Sequence, residues 1–568
     1  MNHEIKNLNG NIYGGKDFYP VREISTIRDM FDSSCELYSE KEVILYKKKH
    51  GEPYTEVKYK ELKEDVYALG TAFIKHGLKG KRIAVMGPTR YEWALTYLAT
   101  VCGTGTIVPI DKELPAEEVA YIKSVSEFDA IVHTDKETSK LEGITDGVLD
   151  IHMDENEGLT VAKLVAEGKE LIASGDTSFI NSVPVPEDVN IMLFTSGTTG
   201  LAKAVMLSQK NIATNLMQMC TLFDINEKTR FFSVLPIHHS YECTCGFLCV
   251  IYRGSSVAYC EGLKYIVKNL QEAKPTLFLA VPLIVESIYR QVMKNVEKQG
   301  KAKTVKIASK VSNGLLKVGI DVRRKLFAQI HEALGGRLET FIVGAAAADP
   351  EVAKGFRALG INVIQGYGMT ECSPIVAVNR DVYFRDDSAG LPPPETQIKI
   401  DKPNAEGIGE ILVKSESVMV GYYKNEEATA NVIVDGWLHT GDLGYLKDGF
   451  IYITGRAKDV IITANGKNVF PEEVERYLSR SPYIAECMVY GKGEGTKLEV
   501  SAHIFPQFDE VEKALGKDYT QEAIRKLLGD EIKAVNEQMP AYKRVTDFDI
   551  RETEFVKTTT RKIKRHAN

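Results

Sequence analysis

The run Phe194-Thr195-Ser196-Gly197-Thr198-Thr199-Gly200-Leu201-Ala202-Lys203 places four hydroxyls, two glycines and a lysine within ten residues, directly after the apolar Ile191-Met192-Leu193. A strand that opens into such a loop offers backbone N–H groups, hydroxyl donors and one cation to a polyphosphate. The spacing departs from G-x-x-x-x-G-K-[ST], so the P-loop of kinases and GTPases is excluded. A polar hairpin loop would have the same composition, and stretches further along the chain carry the choice.

Gln365-Gly366-Tyr367-Gly368-Met369-Thr370-Glu371 follows the apolar Ile361-Asn362-Val363-Ile364. Tyr367 suits stacking on a purine, Thr370 suits a phosphate oxygen, and Glu371 supplies a hard oxygen ligand for Mg2+. A strand end capped by polar residues would read the same way. Upstream, Gly344-Ala345-Ala346-Ala347-Ala348 lets a flat ring or an acyl chain approach the backbone; it also reads as a helix start, with Asp349 as N-cap and Pro350 at N1. In Trp437-Leu438-His439-Thr440-Gly441-Asp442-Leu443-Gly444, a carboxylate in a glycine-flanked turn can accept two hydrogen bonds from a diol, although an aspartate there is ordinarily a turn former. The basic stretch Phe555 to Arg565 reads as a tail or an electrostatic patch.

Two patterns are set aside. His238 and His239 lie close to Cys243, Cys245 and Cys249, but zinc frameworks pair a C-x2–4-C with a second pair elsewhere, and none follows. Gly103-Thr104-Gly105 begins a dinucleotide fingerprint, but Val108 stands where its third glycine belongs.

In their order, five of these stretches resemble the motifs of the adenylate-forming family of acyl-CoA synthetases, luciferases and peptide-synthetase adenylation domains. The chain is most like bacterial long-chain fatty acid–CoA ligases. The resemblance implies that Thr195, Ser196, Gly197, Thr198, Thr199, Gly200 and Lys203 hold ATP phosphates. It implies that Gly344, Ala345 and Ala346 line the adenine and acyl pockets. Gln365, Gly366, Tyr367, Gly368 and Thr370 complete the nucleotide site, with Tyr367 on adenine. Glu371 and Thr195 take Mg2+, and Asp442 holds the ribose. Arg456, fourteen residues on, contacts ribose or phosphate. Lys458 takes the hinge position, and Lys562 is the lysine that enters the active site, making Lys562, Glu371 and Thr195 the catalytic set. His-His-Ser-Tyr-Glu resembles the acyl-pocket motif of long-chain members, with His239 and Tyr241, together with Gly344, near the carboxylate substrate.

Three positions depart from the family pattern. Ala202 replaces a proline, which loosens the loop. Ala204 replaces a glycine and matters if its backbone needs positive φ. Arg561 stands where glycine is usual before the lysine, although long-chain members often carry threonine-arginine-lysine there.

The chemistry implied is two half-reactions. A fatty acid carboxylate attacks the α-phosphate of MgATP, giving acyl-adenylate and pyrophosphate, and the CoA thiol then attacks the acyl carbonyl after the small domain rotates. No Ser-His-Asp triad is needed, because the carboxylate is already ionised at pH 7. The work is in-line positioning and neutralisation of charge at phosphorus. Mg2+ is the expected cofactor, and ATP, CoA and a fatty acid are the expected partners. Alternatives are an acyl carrier protein as acceptor, a noncatalytic acyl or nucleotide sensor suggested by Ala202, Ala204 and Arg561, and an ADP-forming kinase, which the missing P-loop disfavours.

The elements that must position these residues follow from the patterning. Alternating strand and helix signals over residues 60–290 predict a doubly wound α/β arrangement. Val43-Ile44-Leu45-Tyr46, a turn at His50-Gly51-Glu52 and a strand before Tyr59 predict a hairpin. Ser208 predicts an N-cap for a helix carrying Ile212, Leu216 and Met219 on one face. The lysine-rich stretch 292–330 reads as exposed helices; contact with CoA phosphates or anionic lipid is the alternative there. Past residue 455, helices opened by Pro471 and Thr520 and a strand of Leu498, Val500, Ala502 and Ile504 predict a small α+β domain. The expected architecture is α/β: a large N-terminal domain of doubly wound α/β subdomains with a β-barrel-like subdomain (1–456), then a small mobile α+β domain (457–568).

Bulk properties agree with an enzyme of this size. A chain of 568 residues exceeds a single core. Its hydrophobic content of 44% and charged content of 26% are ordinary for a globular protein, and a net charge of -7 makes no case for nucleic acid. Nine scattered cysteines suggest a reducing compartment. A polar N-terminus and the absence of an apolar span predict a cytoplasmic protein with at most peripheral contact at the inner membrane face.

Overall fold

The computed structural model describes residues 18–195, 202–463, 467–493, 498–558 and 563–565. The chain divides into two compact units, Met1–Gln397 with Val413–Leu438, and Ile398–Leu412 with His439–Asn568.

The first unit contains two large sheets. One has seven strands in the order Gly421–Tyr422, Lys203–Ser208, Val189–Thr195, Thr106–Ile110, Arg82–Met86, Ala130–His133 and the edge strand Leu149–His152. From Val189–Thr195 to that edge all pairings are parallel, whereas Val189–Thr195 and Lys203–Ser208 form an antiparallel hairpin. Ala130–His133 is buried along its whole length, the signature of a strand covered on both faces. The other sheet has eight strands, in the order Ile375–Val378, Asn362–Gly368, Thr340–Val343, Leu277–Ala280, Arg230–Ser233, Ser256–Tyr259, Glu42–Tyr46 and Thr55–Lys58. Its last two strands are the hairpin expected over residues 43–60.

Local chemistry explains the helices. Ser208 Oγ accepts the Asn211 N–H while the Asn211 side chain accepts the Ser208 N–H, a reciprocal cap that starts helix Gln209–Cys220. Ile212, Leu216 and Met219 then fall on its buried side. Trp93 to Ile110 is helix Tyr91–Ala99, a π-helical turn Thr100–Thr104 and strand Thr106–Ile110. The lysine-rich stretch forms Pro282–Lys298 and Ala302–Leu316, and the second of these buries only Ser312.

In the second unit, Ile484–Lys492, Glu499–Pro506 and Asp547–Ile550 form a three-stranded sheet, antiparallel then parallel. Helices Pro471–Leu478 and Gln521–Asn536 close its core with Val474, Leu478, Ile524 and Leu528. Strands Trp437–Lys447 and Phe450–Arg456 pair as a hairpin. Here the sequence reading is corrected: Asp442 sits inside a strand, not in a turn. The turn falls at Asp448-Gly449, whose φ values of 51° and 82° are those of a type I′ pair, because two left-handed residues match the twist of the flanking strands.

All nine cysteines are free. Among the described residues no helix is long and apolar enough to cross a membrane.

Candidate active site

Both stretches of the first unit expected to bind nucleotide lie where parallel pairing gives way to antiparallel. Asn362–Gly368 runs parallel to its neighbour through Gln365, then pairs antiparallel with Ile375–Val378 from Gly366 onward. Tyr367, opposite Ala377, is therefore part of the strand and not of a loop beyond it. The hydroxyl-rich stretch likewise follows a strand of the antiparallel pair that flanks the parallel block, with Thr195 and Lys203 directly opposite each other. Such reversals leave strand ends free to meet a ligand. Ser196, Gly197, Thr198, Thr199 and Gly200 lie outside the described residues.

Tyr422, which the sequence reading missed, links the two motifs. Its hydroxyl donates to Glu371 Oε1 at 3.0 Å, and Lys203 Nζ stands 4.9 Å from its ring centroid. Burial and the adjacent Glu371 push the phenol well above its ordinary value, so it stays a donor at neutral pH. The Met419 N–H donates to the Glu371 carbonyl at 2.8 Å, and the Tyr423 N–H to the Ala204 carbonyl at 2.8 Å. The segment around residues 419–423 thus straps both motifs. A Gly-Tyr pair so far from Glu371 gives no local signal; only its cross-strand pairing with Val205 and Met206 reveals it. Ala204 lies in extended strand opposite Phe194, so the backbone makes no demand for glycine there.

A second cluster joins Tyr241 and its neighbours to the small-residue run. The Tyr241 hydroxyl donates to the Ile342 carbonyl at 3.2 Å, and its ring covers Gly344, where an added Cβ would stand 2.9 Å from the ring. Gly344 is thus required by the approach of Tyr241. Gly368 is required too, since a Cβ there would stand 2.2 Å from the Pro374 carbonyl oxygen. Ala345, at φ 70°, is a non-glycine residue in the left-handed region, a strain that concentrates at functional sites. Gln365 Oε1 accepts the Ala348 N–H at 2.9 Å, fixing the end of this run, and Asp349 caps the following helix as expected. Ser240 Oγ and Thr370 Oγ1 are 3.1 Å apart.

His239 Nδ1 accepts the Tyr241 N–H at 3.2 Å, so its proton resides on Nε2. Loss of hydration and the neighbouring His238 push it down to about 4, which keeps it neutral at pH 7. His238 lies 3.7 Å from Asp111 and is also pushed down, by burial. Tyr241 opens a π-helical segment that ends at Leu248, a geometry common at functional sites. The next residue, Glu242, was not singled out by sequence. It is 1% exposed, accepts from Ser233 Oγ at 2.5 Å, and among the described residues Oε2 meets no hydrogen-bond partner. Burial pushes its carboxyl up to about 8. Cys243, Cys245 and Cys249 are buried in and beside this segment, and burial pushes Cys243 up to about 12.

In the second unit, Asp442 and Arg456 are register partners, with Arg456 Nε 3.3 Å from Asp442 Oδ1. Their separation in sequence is the span of one hairpin. Glu410, also missed, braces the strand just before Asp442: it accepts the Gly441 N–H at 3.0 Å and stands 2.9 Å from His439 Nδ1. Lys458 is exposed in the short turn Ala457–Asp459 that follows Arg456. Lys562 lies outside the described residues. Nearby, Lys557 and Ile563 pair antiparallel, and Arg565 binds both Glu475 oxygens at 2.8 and 2.7 Å. The basic C-terminal stretch is therefore partly docked on its own unit.

Comparison with known proteins gives a consistent pattern. Residues 31–423 match the family model of AMP-binding enzymes, and residues 458–568 that of the AMP-binding enzyme C-terminal domain. A human protein named long-chain-fatty-acid–CoA ligase 1 is 28% identical over 525 residues, covering 84% of this chain and 73% of its own. Long chain acyl-CoA synthetase 2 of Arabidopsis thaliana is 28% identical over 479 residues, covering 77% and 72%. The crystal structure of an anthranilate CoA ligase with anthranoyl-AMP superimposes with a TM-score of 0.77 at 20% identity, covering 96% of each chain; this likeness shows the fold.

Proposed function

The chain belongs to the AMP-binding enzyme family, and from that premise we propose that it activates a long-chain fatty acid to acyl-adenylate and passes the acyl group to CoA. It is an AMP-forming acid–thiol ligase; the acid and the acceptor are the proposed part. The observation that supports this best is the Lys203–Tyr422–Glu371 chain, which holds a cation and a carboxylate on either side of one phenol.

The residues carry the chemistry as follows. Lys203 and the Thr195 hydroxyl meet phosphate oxygens at the mouth of the hairpin, and Tyr367 offers its ring to adenine. Glu371 and Thr195 present hard oxygen donors, the kind Mg2+ takes, and the Tyr422 hydroxyl orients the Glu371 carboxylate without cancelling its charge. Bound there, Mg2+ would neutralise charge on the polyphosphate. Asp442 accepts from the ribose diol while Arg456 holds it in place. Lys562 brings a second cation to the α-phosphate, where negative charge builds as the acid attacks in line. The neutral Nε2–H of His239 is suited to donate to the substrate carboxylate, and Tyr241 closes the wall behind it. Long-chain specificity is supported by the names of the relatives and by the His239–Tyr241 stretch.

Product analysis with MgATP, CoA and acids from acetate to oleate tests this. AMP, pyrophosphate and acyl-CoA are expected with the longer acids. AMP without thioester would move the acceptor to a carrier protein, and no AMP with any acid would sink the proposal.

A further inference from the structure

At the opposite edge of the seven-stranded sheet from the hydroxyl-loop hairpin, His133 ends one strand, and Asp150 and His152 lie two apart on its parallel neighbour. His133 and His152 are register partners, and the two-residue period of a strand puts Asp150 on the face of His152. The ligating atoms of the three all lie within 4.8 Å of one another.

Hydrogen bonding fixes how the rings face. His133 Nδ1 is 2.8 Å from the Thr134 carbonyl, which can only accept, so Nδ1 carries a proton. Its Nε2 stands 2.7 Å from Asp150 Oδ1. His152 repeats the arrangement, with Nδ1 2.8 Å from Asp135 Oδ1 and Nε2 3.9 Å from Asp150 Oδ2. Two ring nitrogens thus turn their lone-pair sides toward one carboxylate. A proton on each Nε2, or one cation shared by both rings and the carboxylate, satisfies this arrangement, and the convergence of two rings on one carboxylate favours the shared cation. Metal-bound histidines show this same pattern, with the other ring N–H donated to a carbonyl or carboxylate. A tetrahedral ion with bonds of about 2.0–2.1 Å spaces its ligand atoms roughly 3.3–3.4 Å apart, and the 2.7 and 3.9 Å separations bracket that value. His133 is 1% exposed at its side chain and Asp150 42%, so the site has a closed floor and one side open to water.

We propose that His133, Asp150 and His152 bind a divalent transition-metal ion of the zinc class, with water in the fourth position. Two imidazoles select against Mg2+, so this site is independent of Glu371. Its structural effect is to tie the edge strand Leu149–His152 to the interior of the sheet.

The full-length protein, stripped with a chelator, is titrated with Zn2+ by calorimetry and separately loaded with Co2+ for visible spectroscopy. One equivalent of Zn2+ and the bands of four-coordinate Co2+ without a thiolate charge-transfer band are expected. Asp135→Ala, which removes the group behind His152, should weaken binding by about 10–100-fold, an effect that adventitious uptake on cysteines would not show. Absence of Zn2+ uptake overturns the proposal, as does uptake unchanged in an Asp150→Asn, His152→Gln double variant of native melting behaviour. Should that variant not fold, the wild-type Co2+ spectrum decides, and a thiolate band would place the metal elsewhere.

Discussion

Glu371 and Asp442 are both carboxylates on or beside strands, yet they are held in opposite ways. Glu371 is met by a neutral phenol, Tyr422, and among the described residues no cation comes within ion-pairing distance of it. Asp442, 6% exposed, is met by the Arg456 guanidinium on the opposite strand. The first arrangement gives the carboxyl a hydrogen-bond donor that carries no positive charge. The second sets a guanidinium against the carboxyl. Glu242 shows a third outcome: with only Ser233 donating, burial wins and the carboxyl is protonated at pH 7. For Glu242 depth decides: fully buried with a neutral hydroxyl as its donor, its carboxyl is raised by loss of hydration.

This contrast can be broken in graded ways. The largest effect is expected away from both carboxylates, at Lys562→Ala, which should lower adenylation by about 10³-fold or more while thioester formation from preformed acyl-adenylate falls far less. Pyrophosphate release and single-turnover thioester formation read the two steps, and equal losses would remove Lys562 from its assigned role. Glu371→Gln keeps an acceptor for Tyr422 but deletes the charge. Adenylation should fall about 10²–10³-fold with a shift to higher Mg2+ requirement. Asp442→Asn should instead raise the KM for ATP by roughly 10-fold with kcat little changed and Mg2+ dependence unmoved, the mark of lost uniform binding. Should the two variants share one Mg2+ profile, the distinction drawn between them fails.

Smaller effects sharpen the picture. Tyr422→Phe removes one hydrogen bond to a charged group, worth about 1.5–3 kcal/mol, and should weaken Mg2+ activation by roughly 10–100-fold without a change in ATP affinity in the absence of metal. For Glu242 the sign follows from proton binding. Its folded value, about 8, lies above the ordinary 4.5, so between these pH values the folded state holds a proton that the unfolded state has lost. Stability should therefore decline as pH rises through that window, by at most about 1.4 kcal/mol per pH unit, and level off above it. Glu242→Gln, neutral throughout, should flatten that slope; thermal melts across pH 5 to 8 would show an unchanged slope if Glu242 were not its source.

Much of the local architecture was legible because its causes are local. The Ser208 and Thr520 caps, Pro350 and Pro471 at the first helical position, and the apolar faces of Gln209–Cys220 and Gln521–Asn536 depend on neighbours a few residues away. The candidate residues with contiguous signals, such as Lys203 and Glu371, were legible for the same reason. Asp442 was misplaced in a turn because its glycine neighbours speak locally for a bend, whereas strand pairing with Arg456 decides otherwise. Tyr422 and Glu410 carry no motif of their own, and Glu242 lies in the His-His-Ser-Tyr-Glu stretch with no local sign of its state; their importance comes from partners brought close by sheet register and helix packing.

By itself, then, the amino-acid sequence determined where hydroxyls, cations and carboxylates cluster along the chain, and much of which segments become helix or strand, since these depend on side-chain chemistry and short-range periodicity. Only the tertiary structure decided the partner of each carboxyl, the seat of Tyr422 between Lys203 and Glu371, and the meeting of His133 with Asp150 and His152. Those depend on which groups replace water around a side chain, and chain neighbours alone do not set that.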